Sequence, residues 1–144
     1  MTLMWAALTV ALAAAADERA ALIVSGPAPP ARIERASVIT PAEGPPVVIY
    51  AATNATDQPL EQFTVMAFVF RADGTLKARQ VAPGRRTLEP RETKYSTLVL
   101  DGSPIDATDV IVVGIDQVQR AGSDDWWRAD LQPAAEAAVP LRAQ

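Results

Sequence analysis

The side chains of this chain that could carry out chemistry are carboxylates, hydroxyls and amines, because the sequence contains neither histidine nor cysteine. This composition excludes Ser-His-Asp and Cys-His catalytic centres and removes the imidazole and thiolate ligands of nearly all zinc and copper sites. The sequence also lacks a Gly-x-Gly-x-x-Gly run and a Walker-type loop, so it offers no cradle for nucleotide phosphates. We therefore expect no catalytic residue, no metal site and no cofactor.

The densest group of oxygen ligands lies in the segment DGSPIDATD, which carries Asp101, Asp106 and Asp109. Three carboxylates in one loop could bind Ca²⁺, but their spacing does not match the calcium loop of an EF-hand. The favoured interpretation is that each aspartate forms a turn by accepting hydrogen bonds from nearby backbone amides. The same two interpretations apply to Asp124 and Asp125.

Two further patterns have a chemical and a structural interpretation. Lys94 and Ser96 lie two residues apart in a predicted strand, so their side chains share a face and nominally permit a Ser-Lys pair. An exposed polar strand face explains them equally well and is favoured. Asn54-Ala55-Thr56 matches the acceptor pattern for N-glycosylation, and the favoured interpretation is an Asx turn.

Trp126 and Trp127 are the candidate contacts for a ligand or partner. Adjacent residues of a strand point to opposite faces, so both indoles cannot enter the same core. An indole that is left outside the core can stack on a sugar ring or anchor a protein partner. The structural alternative is that the second indole packs beneath the C-terminal helix.

The elements that position these residues are predicted to be short strands separated by turns rich in Gly, Pro, Asn and Asp. Asp73-Gly74 is a strong hairpin signal, and Asp130 is a good N-cap for a short helix that ends at Pro140. Because no helix of crossover length lies between strands, the pattern predicts an all-β, immunoglobulin-like antiparallel β-sandwich of about seven strands with a short C-terminal helix. The predicted strands are 33–40, 47–53, 63–71, 75–81, 93–100, 110–118 and 126–128.

The middle of the chain, residues 48–118, resembles the FxLYD-type and related immunoglobulin-like domains of exported bacterial proteins. The resemblance is carried by an aliphatic strand ending in Asn54, by the strand Phe63-Thr64-Val65, by the run from Phe70 to Gly74, by the Leu88-Glu89-Pro90 corner and by a closing Val-rich strand. It implies the fold and an exported location, and it transfers no catalytic residue.

The N-terminal region has the composition of an export signal followed by a tether. Residues 1–16 form an uncharged apolar run that ends abruptly at Asp17, and cleavage after Ala14 or Ala16 fits its small residues. The run is shorter than the roughly 20 residues that span a bilayer, so we expect no stable membrane span after cleavage. Residues 17–31 are predicted to be an Ala/Pro-rich tether, and residues 32–144 the β-sandwich domain.

The net charge and the hydrophobic pattern limit the functions that this chain can have. A net charge of −4 argues against binding to nucleic acid. The strands 63–70 and 110–115 are apolar on both faces, and a two-turn helix covers little, so a second protein could complete the cover. The sequence predicts a periplasmic or secreted, non-catalytic interaction module with a protein partner in the cell envelope. The alternative is a glycan or cell-envelope binder that uses an exposed tryptophan, and a carboxylate-based enzyme is third.

Overall fold

A computed structural model describes residues 16–140, and almost all of its regular elements are strands. The predicted signal peptide 1–16 lies outside the described residues except for Ala16, which belongs to the first strand. The elements are β1 (Ala16–Ala20), β2 (Leu22–Ile23), β3 (Ala31–Pro41), β4 (Val47–Asn54), β5 (Leu60–Phe70), β6 (Leu76–Pro83), β7 (Thr93–Val99), β8 (Val110–Arg120), β9 (Trp126–Arg128) and α1 (Gln132–Ala138).

These strands form two sheets that pack face to face. Sheet A has the order β1-β3-β4-β7 and is antiparallel throughout. Sheet B has the order β2-β8-β5-β6, and the short strand β9 also pairs with β8. β2 pairs with β8 in parallel orientation over two residues. The predicted β-sandwich with a short C-terminal helix is confirmed, and within the described residues it has nine strands rather than seven.

Alternation along each strand decides which side chains fill the space between the sheets. In β4 the even-numbered Val48, Tyr50 and Ala52 are buried, whereas Val47 and Ile49 point to the outer face of sheet A. The opposing sheet contributes inward residues of β5 and β8. The largest fully buried members of this inner core are Tyr50, Phe63, Leu60, Leu88, Leu98, Val38, Val48 and Val65.

A buried asparagine organises the turn that carries the chain from sheet A to sheet B. The Asn54 side-chain amide donates to the carbonyl oxygens of Gln58 at 2.8 Å and Leu88 at 3.1 Å, and its Oδ1 accepts from the amide of Thr56 at 2.8 Å. The Asx-turn interpretation is therefore confirmed. With Nδ2 buried and engaged twice, Asn54 in the folded chain offers no accessible acceptor for a glycan.

The segment 17–31 was predicted to be a tether, and that prediction is wrong for its first half. β1 pairs antiparallel with β3, and the amide of Val24 donates to the carbonyl oxygen of Val113 at 2.9 Å, so this part of the chain adds an edge to each sheet. Pro27, Pro29 and Pro30 lie in the link to β3, where no ladder hydrogen bond is required. The prolines prevent regular structure only where they stand, and residues 17–24 precede them and are free to form strands.

The helix α1 covers the outer face of sheet B. Leu131, Ala135 and Val139 are buried against Phe68 and Phe70, and these residues belong to a second apolar cluster. The N-cap position is Leu131 and not the predicted Asp130, because Leu131 is drawn into this cluster. The carboxylate of Asp130 still accepts a hydrogen bond from the amide of Gln132 at 3.2 Å, so it supplies part of the predicted capping.

We predict that Gly114→Ala loosens this cover. A Cβ at Gly114 would lie 2.6 Å from the carbonyl oxygen of Val24 and 2.8 Å from Cδ1 of Leu131, so the N-terminal segment and α1 must both shift. Such overpacking lowers the free energy of unfolding by about 1–3 kcal/mol. Gly102→Ala is the matched control, because the one neighbour of its Cβ is the flexible Gln80 amide at 3.3 Å. Urea unfolding measures both variants, and equal midpoints would contradict the proposed cover.

Candidate functional site

The two predicted contact residues, Trp126 and Trp127, lie on opposite faces of sheet B. Trp127 pairs with the buried Val118 and packs against the core between the sheets. Its Nε1 donates to the carbonyl oxygen of Pro27 at 3.1 Å, and a Cβ at Gly26 would lie 3.2 Å from its ring. Trp127 is therefore a structural anchor for the segment that links β2 to β3, and it does not pack beneath the C-terminal helix in this arrangement.

Trp126 points outward, in a row with two glutamines. It pairs with Gln119, which in turn pairs with Gln62, and paired residues share a face of the sheet. Gln62 Nε2 donates to Gln119 Oε1 at 2.7 Å, and the guanidinium of Arg128 lies 5.8 Å from the centroid of the Trp126 ring. The indole is half-buried. This part of the sheet is polar and partly open, so Trp126 is the tryptophan that can meet a ligand.

The apolar outer face of sheet B, which the sequence left for a helix or a partner, is covered by the chain itself. Phe68 is fully buried and Phe70 is 1% exposed. Leu22 and Val24 of the N-terminal segment pack against the same cluster that α1 covers. The two-turn helix does not cover this face alone, as expected, and the N-terminal segment adds to the cover around Phe68 and Phe70. Val81, on the same face of the edge strand β6, is 53% exposed.

The outer face of sheet A carries the apolar surface that is exposed. Tyr95 is 54% exposed, and Ile49 and Val99 are each 41% exposed. The ladder places Val99 beside Val47, Val47 beside Ile39, and Ile49 beside Thr97, so these side chains occupy one continuous surface. We call this surface the Ile49 patch; its members are Ile39, Val47, Ile49, Tyr95 and Val99.

Sequence reasoning missed the Ile49 patch, although a signal for it was present. The segment VVIYAAT places Val47 and Ile49 on the face opposite Val48 and Tyr50, so β4 is apolar on both faces just as β5 and β8 are. The two-face argument was applied to β5 and β8 alone. In β7, Tyr95 lies between the polar Lys94 and Ser96, whereas Val99 lies between Leu98 and Leu100, so the sequence does not show which of the two faces packs inside.

The loop aspartates form a clamp with two basic residues. Lys77 Nζ lies 2.7 Å from Oδ2 of Asp109 and 3.3 Å from Oδ2 of Asp106. Arg19 donates to the carbonyl oxygens of Ala107 and Asp109, both at 2.7 Å. Asp101 lies apart from this clamp and accepts from Gln80 at 3.3 Å. The structure thus gives two of the three aspartates a cationic partner from the protein, which is a structural role.

This pairing changes the proton affinity of both groups. Burial alone raises the pKa of Asp109, but the hydrogen bonds from Lys77 and from the amide of Asp106 outweigh it, and the carboxyl pKa lies below its ordinary value. The hydrogen bond to Asp109 raises the pKa of Lys77, against the opposing effect of desolvation. The ion pair is therefore fully charged at neutral pH.

The nominal Ser-Lys pair does not form. Lys94 Nζ donates to the carbonyl oxygens of Arg86 at 3.3 Å and Thr87 at 2.6 Å, so it fastens the loop before β7. Ser96 instead bonds to the hydroxyl of Tyr50, whose pKa is raised by burial in the inner core although this hydrogen bond opposes the shift. Both residues of the pair have structural partners.

One cleft of the described residues has almost no ionisable side chain in its lining. A shallow cleft of about 530 Å³ lies between the loops 44–46 and 100–105, and Asp101 is the one ionisable residue of its lining. Within residues 16–140, no group of three or more acidic side chains lies close enough to hold a metal ion. No helix of this part of the chain is long and apolar enough to cross a membrane.

Comparison with protein-family models, with curated proteins and with solved structures found no match for this chain. The resemblance to FxLYD-type domains therefore stays a prediction. The functional argument rests on the surfaces described above.

We predict that Lys77→Met lowers stability in a pH-dependent way. Because folding lowers the pKa of Asp109, its carboxylate stabilises the folded state above the unfolded pKa of about 3.9. This stabilisation is lost as the pH falls through the folded pKa. Because folding raises the pKa of Lys77, its ammonium group stabilises the folded state fully below the unfolded pKa of about 10.4. This stabilisation is lost as the pH rises through the folded pKa.

Urea unfolding midpoints of the Lys77→Met variant and of the original protein should accordingly differ most between about pH 4 and pH 10. Arg32→Met is the matched control, because the Arg32–Glu34 pair at 2.8 Å is exposed and should contribute little. A difference for Lys77→Met that persists unchanged well below pH 3 would contradict the ion-pair explanation.

Proposed function

We propose that this protein is an exported, non-catalytic interaction module that binds another protein of the cell envelope through the Ile49 patch. The observation that carries the proposal is the contrast between the two outer faces. Phe68 and Phe70 on sheet B are covered by the protein's own helix and N-terminal segment. Tyr95, Ile49 and Val99 on sheet A remain exposed, although burying them against a partner would be favourable.

The composition of the patch suits a protein partner. Tyrosine supplies a large contact area at low conformational cost and is frequent among residues that dominate binding energy. Around the apolar centre, Glu18 lies beside Ile39, and Arg35 lies beside Ala51, next to Tyr95, so both signs of charge border one side. A fitting partner presents a flat apolar surface with charges of opposite sign along one rim.

The proposed location in the envelope rests on the N-terminal sequence. An apolar run that ends before Asp17 is typical of a secretory signal, and the resemblance to domains of exported bacterial proteins points the same way. A domain without cysteine depends on its apolar core, and the inner core and the cluster under α1 supply one.

The proposal predicts that Ile49→Asp abolishes partner capture. A photo-crosslinking residue at position 95 of the full chain, irradiated in cells, should give a discrete adduct that Ile49→Asp reduces at least tenfold. Val81→Asp is the matched control, because Val81 is 53% exposed on sheet B and the charge change is the same. Both variants should still melt cooperatively, because aspartate in a strand costs on the order of 1 kcal/mol; thermal melts of both variants therefore separate loss of the adduct from loss of the fold. Equal adduct yields for the two variants would argue against the Ile49 patch.

A second candidate function, glycan binding, is favoured by one observation: Trp126 stands in a row with Gln62 and Gln119 on a half-open face. Indole faces stack on sugar rings, and amide side chains bond to their hydroxyls. In the variant Trp5→Phe/Trp127→Phe, Trp126 is the single remaining tryptophan.

Acrylamide quenching of Trp126 fluorescence in that variant, with and without envelope polysaccharide, separates the two functions. The protein-binding proposal predicts unchanged quenching. Protection of Trp126 by the polysaccharide would favour the glycan function, and Gln119→Ala should then remove the protection while Gln80→Ala, on the opposite edge strand β6, leaves it intact.

A further inference from the structure

Within residues 16–140, the strand β7 has one partner in its sheet and an unpaired edge on its other side. It pairs with β4 and ends the order of sheet A. The backbone of Leu100 donates to Pro46, and the carbonyl of Glu92 accepts from Asn54, so the even-numbered residues of this stretch turn their backbone groups toward β4. The odd-numbered residues therefore turn theirs to the free edge.

Two side chains occupy part of this edge. Arg85 donates to the carbonyl oxygen of Tyr95 at 3.3 Å, and Gln80 donates to the carbonyl oxygen of Val99. Thr97 lies between them, and within the described residues its carbonyl oxygen accepts no side-chain hydrogen bond. An unpaired edge with these backbone groups is a template for another strand.

We propose that β7 pairs with β7 of a second copy of this chain, antiparallel about a two-fold axis at Thr97. A two-fold axis makes the interface self-complementary, so each residue must suit the one it meets. Centring the pair on Thr97 places Tyr95 opposite Val99 of the second copy, and Thr97 opposite its own copy. Centring it on Tyr95 would instead set Val99 against Arg91.

The register at Thr97 matches side chains as well as backbone groups. An aromatic residue opposite a β-branched one, and threonine opposite threonine, are both stabilising cross-strand pairs. If the extended chain continues past the end of β7, Thr93 faces Asp101 of the second copy, about 7 Å beyond Val99. Asp101 then lies on the side where Arg85 bonds to Tyr95 of the first copy. The charges are therefore complementary at both ends of the paired stretch.

Pairing replaces two exposed side-chain hydrogen bonds by a larger number of ladder hydrogen bonds. The side-chain bonds from Arg85 and Gln80 are exposed, and water replaces them when they open. The paired strands form about six ladder hydrogen bonds around the axis. The result is a continuous sheet of eight strands, in which the Ile49 patches of both copies lie side by side. Self-pairing uses the backbone edge of β7, whereas the proposed binding of an envelope protein uses the outer face of sheet A. Tyr95 and Val99 lie on β7 and take part in both, and Ile49 lies on β4 and belongs to the outer face alone.

Cysteine crosslinking tests the register directly in this cysteine-free chain. In the proposed dimer the two Thr97 Cα atoms lie about 5.5 Å apart, within the range of a disulfide. The two Thr93 Cα atoms lie about 27 Å apart. Thr97→Cys should therefore give a covalent dimer with an oxidant or a short bismaleimide, whereas Thr93→Cys should give at least tenfold less.

Charge substitution provides a second readout, by sedimentation equilibrium of the purified protein. Thr97→Lys sets two lysines against each other and should weaken dimerisation at least tenfold, whereas Thr93→Lys meets Asp101 of the second copy and should leave it unchanged or stronger. A monomer at every concentration, or equal crosslinking of Thr97→Cys and Thr93→Cys, would overturn the proposal. Ile49→Asp should leave the Thr97→Cys crosslink intact, so loss of the envelope partner and loss of self-pairing are read separately.

Discussion

The strand pair β5–β8 imposes the constraint on which the rest of the structure depends, because it is apolar on both of its faces. Inward residues such as Val65 and Val113 require sheet A as a cover, and outward residues such as Phe68 and Val112 require a second one. The chain meets the second requirement with α1 and with the segment that contains Leu22. The segment that contains Leu22 and Val24 and the C-terminal helix α1 are therefore fastened to the same face of the central pair.

This arrangement distinguishes the two outer surfaces of the sandwich. Sheet B needs its cover to fold, so the part of its outer face around Phe68 and Phe70 is not free for a partner, whereas Val81 on the edge strand β6 and the polar end around Trp126 stay open. Sheet A packs against sheet B through its inner face. Its outer face leaves Tyr95 and Ile49 in contact with solvent. The loop ion pairs, the turn at Asn54 and the clamp at Lys77 hold the ends of strands in place and leave these surfaces unobstructed.

Much of the fold could be predicted because local patterns agreed with tertiary packing. Alternating residues and strong turn signals, such as Asp73-Gly74, placed the strands β3 to β9 within a few residues of their observed bounds. β1 and β2 could not be predicted, since β2 pairs over two residues and depends on contacts with Val112 and Val113 that no local pattern encodes. For the candidate site, opposite orientations of the two tryptophans followed from strand geometry. Which indole faces inward, and which sheet leaves its outer face bare, depend on how the two sheets stack.

The chain covers the outer face of sheet B around Phe68 and Phe70 and leaves the outer face of sheet A open. Hydroxyl-radical footprinting of the purified protein tests it with residues of known reactivity on each surface. The account predicts rapid labelling of Tyr95 and protection of Tyr50, Phe68 and Phe70, which are at most 1% exposed. Labelling of Phe68 and Phe70 together with protection of Tyr95 would contradict it, because the exposed and covered faces would then be reversed.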